Sequence, residues 1–230
     1  MEEQKFVQFK KNELGIKSYI RTSLGKGVIS KVSVEYTPVG EKIVITTTKP
    51  GIIIGRGGEK IQELTRILKK NFSLENPHIE ISEIIKPEFD SQSIADEMAL
   101  SLEKLGSLKF KVIAYKMLQR VIRAGALGVE IRMSGKLPSD RARTWRFSYG
   151  YLKKTGDTAK IVDVAQAVAE TQAGVIGIVV SILSPEKKIH DQIVVDDKLM
   201  DEIKRNIVEY KSKEDEEAGK KMKKKKGAEN

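Results

Sequence analysis

The 230-residue chain has no cysteine and only two histidines, His78 and His190. Without cysteine it cannot form a disulfide or a thiolate metal site, and two histidines are too few for a histidine-rich metal centre. No apolar run approaches the roughly 20 residues that a membrane-spanning helix needs, and no signal-peptide pattern opens the chain. We therefore expect no cofactor, no metal ion and no membrane partner.

Acidic residues are fewer than basic ones, 32 against 42, which gives a formal net charge of +10. This excess predicts a polyanionic partner, either a nucleic acid or an acidic membrane surface. The length and the 40% hydrophobic content are enough for one or two compact domains. The composition is that of a basic, intracellular protein.

One short segment combines features that suit a nucleic-acid backbone. The apolar residues 52–54 end at a Gly-Arg-Gly-Gly loop, and an amphipathic pattern with apolar residues at helical spacing follows at once. Glycines allow a sugar-phosphate backbone to approach closely, and the free N–H groups at the start of a helix favour an anion. The candidate RNA-binding residues of this loop are Gly55, Arg56, Gly57, Gly58 and Lys60.

The Gly-x-x-Gly spacing alone is weak evidence, because this composition predicts about one or two such pairs by chance. Two others occur, residues 125–128 and 174–177, with no charge between their glycines. Both precede a strand-like pattern, so we interpret them as turns that open strands. A triphosphate-binding loop is excluded, since no Gly-Lys-Ser/Thr follows.

The surrounding pattern predicts a small mixed domain. Residues 32–36 alternate between apolar and polar, residues 43–48 are β-branched, and apolar residues alternate again from 79. A basic amphipathic helix precedes them. The order helix, strand, strand, helix, loop, helix, strand resembles a type II KH domain, a module that clamps about four nucleotides of single-stranded nucleic acid.

Five motifs extend the resemblance beyond one domain. They are residues 49–58, 124–128, 134–137, 141–144 and 174–177. In this order they resemble the small-subunit ribosomal protein three family, over about residues 15–185. The form with Lys-Leu-Pro-Ser-Asp-Arg-Ala-Arg-Thr is more similar to archaeal and eukaryotic members than to bacterial ones.

The expected fold class is α+β, in three parts. Residues 1–89 form an N-terminal helix and a type II KH domain, whose core is about 16–86. Pro87 and the helix caps Asp90 or Ser91 mark the break. Residues 90–190 form an α/β domain of two helices packed on a mainly antiparallel sheet. Residues 191–230 form an extension with a Lys-rich, disordered tail, because few apolar residues occur there.

The second predicted helix of this domain carries a stripe of cations. At 100° per residue, its basic side chains fall within an arc of roughly 60°. No acidic residue stands at i+4 to pair with them, which favours a phosphate backbone over a merely solvated face. These residues are Lys109, Lys116, Arg120 and Arg123.

A second basic group follows a predicted strand, residues 129–134. It consists of Lys136, Arg141, Arg143 and Arg146, beside Trp145, Phe147, Tyr149 and Tyr151. The aromatic residues would share one face of a strand, either as a stacking platform for bases or as core packing under the helices. We favour packing, since the chain has few other aromatics. We expect the two basic groups to meet in one basic wall.

Two other segments give weaker patterns. Residues 161–171 have helical propensity, but the family resemblance implies a strand that leads through a turn to a final strand, residues 177–183. We follow the resemblance. A helix over residues 3–18 is expected to dock through Phe6, Phe9 and either Leu14 or Ile16.

The resemblance implies a structural constituent of the small ribosomal subunit, located in the cytoplasm. Such a protein binds rRNA in the subunit head, contacts neighbouring ribosomal proteins and contributes to the path by which messenger RNA enters, near Lys136, Arg141, Arg143 and Arg146. One alternative is a free KH-type regulator or chaperone of RNA outside the ribosome. A remote alternative is a nucleic-acid-acting enzyme, which we do not favour because Asp140 and Asp157 suit turns better than metal ligation.

Overall fold

The structure is a computed structural model that describes residues 2–37, 40–72, 74, 76–187, 200, 203 and 205. The described residues up to 187 belong to one compact unit. Its first half contains α1 (Glu2–Leu24), β1 (Ile29–Thr37), β2 (Gly40–Thr47), α2 (Pro50–Ile54), α3 (Glu59–Phe72) and β3 (His78–Glu83). Its second half contains α4 (Ser91–Leu105), α5 (Phe110–Arg123), β4 (Gly128–Gly135), β5 (Arg143–Gly150), β6 (Asp163–Thr171) and β7 (Gly174–Leu183). The predicted tail lies outside the described residues.

The first half is the predicted type II KH fold. Its sheet has the order β1-β2-β3, with β1 antiparallel and β3 parallel to the central strand. A β-branched central strand buries alternate residues, Ile43 and Ile45, and the helices contribute Ile20, Ile53 and Leu68 to the same core. The predicted order of strands and helices is confirmed.

The docking face of α1 differs from the prediction. Phe6 and Phe9 are 64% and 54% exposed and Leu14 is exposed as well, whereas Ile16 and Ile20 are completely buried. The helix runs six residues further than expected, to Leu24, so its C-terminal half provides the face that enters the core. The prediction for Phe6 and Phe9 is therefore wrong, and of the two alternatives Leu14 and Ile16 the second is confirmed.

The second half packs α4 and α5 on one face of an antiparallel sheet of order β5-β4-β7-β6. The strand prediction for residues 161–171 is confirmed in β6. Ala165, Ala167 and Ala169 alternate into the core, and β6 lies against α4. Small side chains at every second position allow this close approach, so tertiary packing overrides helical propensity.

The aromatic residues of β5 divide into two pairs. Trp145 and Phe147 pack under α5, with ring centroids 5.3 and 6.5 Å from that of Phe110. Tyr149 and Tyr151 are more than half exposed, because one lies near the end of β5 and the other follows it. The packing interpretation is right for the first pair and wrong for the second.

A network of carboxylates joins the two halves. The Gly27 N–H donates to Asp96 Oδ2 over 3.1 Å, the Ser30 hydroxyl donates to Asp90 Oδ1 over 2.5 Å, and Lys26 Nζ lies 3.0 Å from Glu103 Oε1. Asp90 also accepts from the Ser93 N–H and caps α4, as predicted. Burial raises the pKa of Asp90 and Asp96 above the ordinary range. Each half has its own hydrophobic core, and we retain the division at residue 89 as a proposal.

Gly128 is expected to be the most sensitive glycine of the second sheet. A Cβ there would come within 1.8 Å of the Tyr151 carbonyl oxygen, which belongs to the backbone and cannot turn away. We expect Gly128→Ala to lower the free energy of unfolding, measured by urea titration, by about 1–3 kcal/mol. Gly51→Ala is the control, because its Cβ meets nothing within 4 Å. Equal stability of the two variants would contradict this packing.

Candidate nucleic-acid interface

The predicted loop joins two helices through three glycines with positive φ. Gly55 (φ 73°) ends α2, and the 3-10 turn Arg56–Gly58 contains Gly57 (φ 60°) and Gly58 (φ 82°) before α3 begins at Glu59. A Cβ added to Gly57 or Gly58 would meet nothing within 4 Å, so the space in front of the loop is open. Arg56 is exposed at the tip. A backbone phosphate can therefore approach the loop and the N-terminus of α3.

Lys60 lies beside the loop. A Cβ on Gly55 would come within 2.8 Å of Lys60 Cγ, so the aliphatic stem of this lysine covers Gly55. Its Nζ lies 3.5 Å from the Ile52 carbonyl oxygen and is exposed. Because Gly55 has no side chain, the aliphatic part of Lys60 can pack against it. This packing keeps the Lys60 ammonium group near the open side of the loop.

Two exposed isoleucines, Ile52 and Ile54, precede the glycine loop. The sequence pattern shows them only as part of the apolar run 52–54. Ile52 and Ile54 are 42% and 40% exposed, whereas Ile53 between them is completely buried in the core. Exposed branched side chains next to cations form a surface that suits a base beside its phosphate. The signal was available in the run itself, since a short helix can bury only one of three successive residues.

The helix stripe, by which we mean Lys109, Lys116 and Arg123, is exposed on and next to α5. No ion pair joins these three to a carboxylate among the described residues. Arg120 was predicted to belong with them, but its two Nη atoms lie 2.8 Å from Glu97 Oε2 and 3.3 Å from Glu88 Oε1. The prediction of an unpaired cation is wrong for Arg120, because acidic residues of α4 and the preceding turn neutralise it.

The loop between β4 and β5 presents Lys136 and Arg141, and Arg143 opens β5 directly after it; all three are exposed. No carboxylate in the described part of the chain pairs with them. Leu137 is completely buried, and its carbonyl oxygen accepts from Trp145 Nε1–H over 3.4 Å. These two contacts attach the loop to the core, so the backbone that carries the basic side chains is held in place.

Lys111 belongs with this group, although its position in the sequence places it outside the predicted stripe of cations. Its Nζ lies 4.8 Å from the centroid of the Trp145 ring, the same tryptophan that holds the loop. A cation over an indole face is attracted to the ring. We call Lys111, Lys136, Arg141 and Arg143 the loop cluster.

The loop cluster and the helix stripe lie on opposite flanks of α5. Lys111 reaches β5, whereas Lys116 and Arg123 follow it on α5 by five and twelve residues, which at 100° each places them about 140° and 120° from it. The exposed residues Val112 and Tyr115 on this helix, with Leu108 in the turn before it, form an apolar ridge. The expected single basic wall is therefore wrong, and the structure has two separate basic surfaces.

Arg146 belongs to neither surface. Strand alternation places it opposite Trp145 and Phe147, on the face of the sheet that the helices do not cover. Its Nη2 lies 2.9 Å from Glu130 Oε2. The prediction that Arg146 lines the same wall as Arg141 and Arg143 is wrong.

The described residues contain no group of three or more His, Asp or Glu side chains placed to hold a metal ion. Among them, no helix combines the length and the apolar character needed to cross a membrane. Asp157 is 87% exposed at its side chain and pairs with Lys160, as expected for a turn residue.

Comparison with known proteins covers both halves. A family model described as "KH domain" matches residues 15–89, and one described as "Ribosomal protein S3, C-terminal domain" matches residues 98–182. The chain is 40% identical to small ribosomal subunit protein uS3 of Methanocaldococcus jannaschii over 196 residues, 85% of this chain and 93% of that one. It is 35% identical to the proteins of that name from Methanosphaera stadtmanae and Methanococcus maripaludis strain C5, covering 77% and 97% of their lengths and 85% and 91% of this chain.

Proposed function

The chain belongs to the family of small ribosomal subunit protein uS3, and from this premise we propose that it is a structural, RNA-binding constituent of the small subunit. Its partners are rRNA and neighbouring ribosomal proteins of the subunit head. Its work is binding and positioning, and we propose no catalytic role. Its place is the cytoplasmic ribosome.

The observation that carries this proposal is the extent of the similarity. It spans 93% of one relative and includes the second half, which a free KH regulator would not require. A basic chain with two exposed cationic surfaces fits a site surrounded by RNA. Each cation that neutralises a phosphate releases a counterion, and this release drives such binding.

We assign different RNA segments to the different surfaces. The glycine loop with Arg56 and Lys60 contacts an unpaired strand, since the flanking Ile52 and Ile54 offer apolar surface to bases. The helix stripe contacts rRNA backbone. The loop cluster lies beside the path of messenger RNA as it enters the subunit, where sequence-independent contact with phosphates suits a moving strand.

Co-sedimentation tests the proposal. Purified chain, mixed with small subunits from a strain depleted of its own homologue, should sediment with the subunit and remain bound in moderate salt. A variant in which the loop cluster and the helix stripe are both neutralised should dissociate at lower salt. Binding to free RNA without any association with the subunit would instead support a KH regulator outside the ribosome.

A further inference from the structure

The uncovered face of the second sheet carries a cluster built around a buried acid. The Glu130 side chain is only 7% exposed, yet three cations reach it. Arg146 Nη2 lies 2.9 Å from Oε2, Arg132 Nε lies 3.5 Å from Oε1, and Lys154 Nζ also pairs with Oε2. We call Glu130, Arg132, Arg146 and Lys154 the sheet cluster.

The sheet cluster holds more positive charge than its acid can balance. Three cations against one carboxylate leave a net charge of +2. Burial works to raise the pKa of Glu130, but Lys154 and Arg146 outweigh it and hold that pKa below its ordinary range, so the carboxylate stays charged. The cations themselves are about half exposed at 53%, 53% and 47%. The Glu130 carboxylate is therefore buried, whereas the three cations that carry the excess charge are exposed to solvent.

A cavity of about 340 Å³ opens beside these groups. All four members of the cluster line it, together with the apolar side chains of Leu152, Val162 and Val164 and the polar Ser181. This wall combines cations and a hydroxyl with apolar surface, which suits a phosphate joined to a sugar better than an isolated ion. The arginines can present planar pairs of donors that match phosphate oxygens.

We propose that the sheet cluster binds a phosphate of an RNA backbone, so that the uncovered face of the second sheet is a further RNA contact. This inference rests on the proposed function and adds a surface to it. Glu130 is a positioning residue, because it fixes the direction of three long side chains and does not touch the ligand. Neutralising a buried carboxylate would require only one cation, and three are present.

Charge-balanced variants of the full-length chain test this proposal. Removing the cations alone would leave Glu130 buried and unpaired, which is strongly destabilising. The variant E130Q/R132Q/R146Q/K154Q instead removes the net charge of +2 and leaves no buried charge. The matched control is K10Q/K160Q, which removes the same charge from two exposed lysines that pair with Glu13 and Asp157. The probe is a transcript of the rRNA domain that forms the subunit head.

The balanced variant should show a salt dependence of log K roughly 0.7–0.9 units shallower than wild type, the change expected for one lost phosphate contact. The control should shift the slope much less. E130Q keeps a side chain of the same shape with an acceptor oxygen for the cations and raises the cluster to +3, so it should bind RNA at least as tightly as wild type. If the cluster only stabilises the fold, both variants should lower the thermal unfolding temperature and leave the salt slope of RNA binding unchanged.

Several outcomes would overturn the inference. One is a balanced variant that binds RNA like the control while its thermal unfolding is unchanged. Another is a loss confined to inorganic phosphate or to a polyglutamate peptide, which would assign the cluster to a free anion or to an acidic protein. If wild type itself fails to bind the transcript, the proposed function fails. If wild type binds the transcript and the balanced variant binds equally well, the proposed function stands and the inference about the sheet cluster fails.

Discussion

Replacing Arg56 and Gly57 by Asp is expected to weaken binding of single-stranded RNA by about 10- to 100-fold, the loss of one strong charge-assisted contact. The change turns one positive charge at the loop into two negative charges, which repel phosphates. The fold should survive, because Arg56 is exposed and a side chain at Gly57 meets nothing within 4 Å. Asp tolerates the left-handed conformation of Gly57 better than most residues.

The measurement is fluorescence anisotropy with a labelled single-stranded oligonucleotide at physiological salt, with circular dichroism to monitor the fold. Gly57→Asn is the matched control, since it adds a similar side chain without charge and should bind almost as wild type does. Unchanged affinity of the double variant, with an unchanged spectrum, would show that the loop does not bind RNA. Equal losses in both variants would assign the effect to shape instead of charge.

Neutralising the loop cluster is expected to have the largest effect on salt dependence. The variant K111Q/K136Q/R141Q/R143Q removes four cations that have no carboxylate partner in the described part of the chain. If each contacts a phosphate of single-stranded RNA, the slope of log K against log salt should fall by about three units. The loss should be similar for all RNA sequences, because phosphate contacts carry no base information.

Four lysines that already pair with acids within the chain provide the control. K10Q/K42Q/K86Q/K160Q removes the same formal charge from Lys10, Lys42, Lys86 and Lys160, whose carboxylate partners lie on other surfaces. If both variants lower the slope equally, only overall charge matters and the loop cluster is not a binding site. Because Lys111 packs over Trp145, thermal unfolding must accompany the binding data.

The sequence was sufficient for most of the fold because most elements have a local signal. The apolar alternation of β4, the cap at Asp90 and the glycines around Arg56 all appear at the expected positions. For β6 the local signal was misleading, and the correct strand followed from the resemblance. Its three buried alanines have high helical propensity, and their role as small strand residues is clear only once α4 packs against them.

The basic surfaces were harder to predict because a basic residue can pair with an acidic residue that is distant in the sequence. Arg120 meets Glu97 and Glu88, which are 23 and 32 residues away in the chain, so its i+4 neighbours say nothing about its partners. Arg146 and Glu130 lie on paired strands, and only the register of β4 with β5 brings them together. Lys111 falls outside the basic arc of α5 and gains its place from Trp145.

The contacts between the two halves also set an order for folding as the chain emerges during synthesis. The core of the first half is complete once residue 81 is available, but Lys26 donates to the carbonyl oxygen of Val168 and Ser91 donates to Asp163. At 5–20 residues per second, β6 appears roughly 4 to 17 seconds later. For that interval Lys26 lacks its contact with β6, although Asp90, Asp96 and Glu103, which meet residues 26–30, have already been synthesised. The nascent KH half must therefore stay soluble before the second sheet is complete.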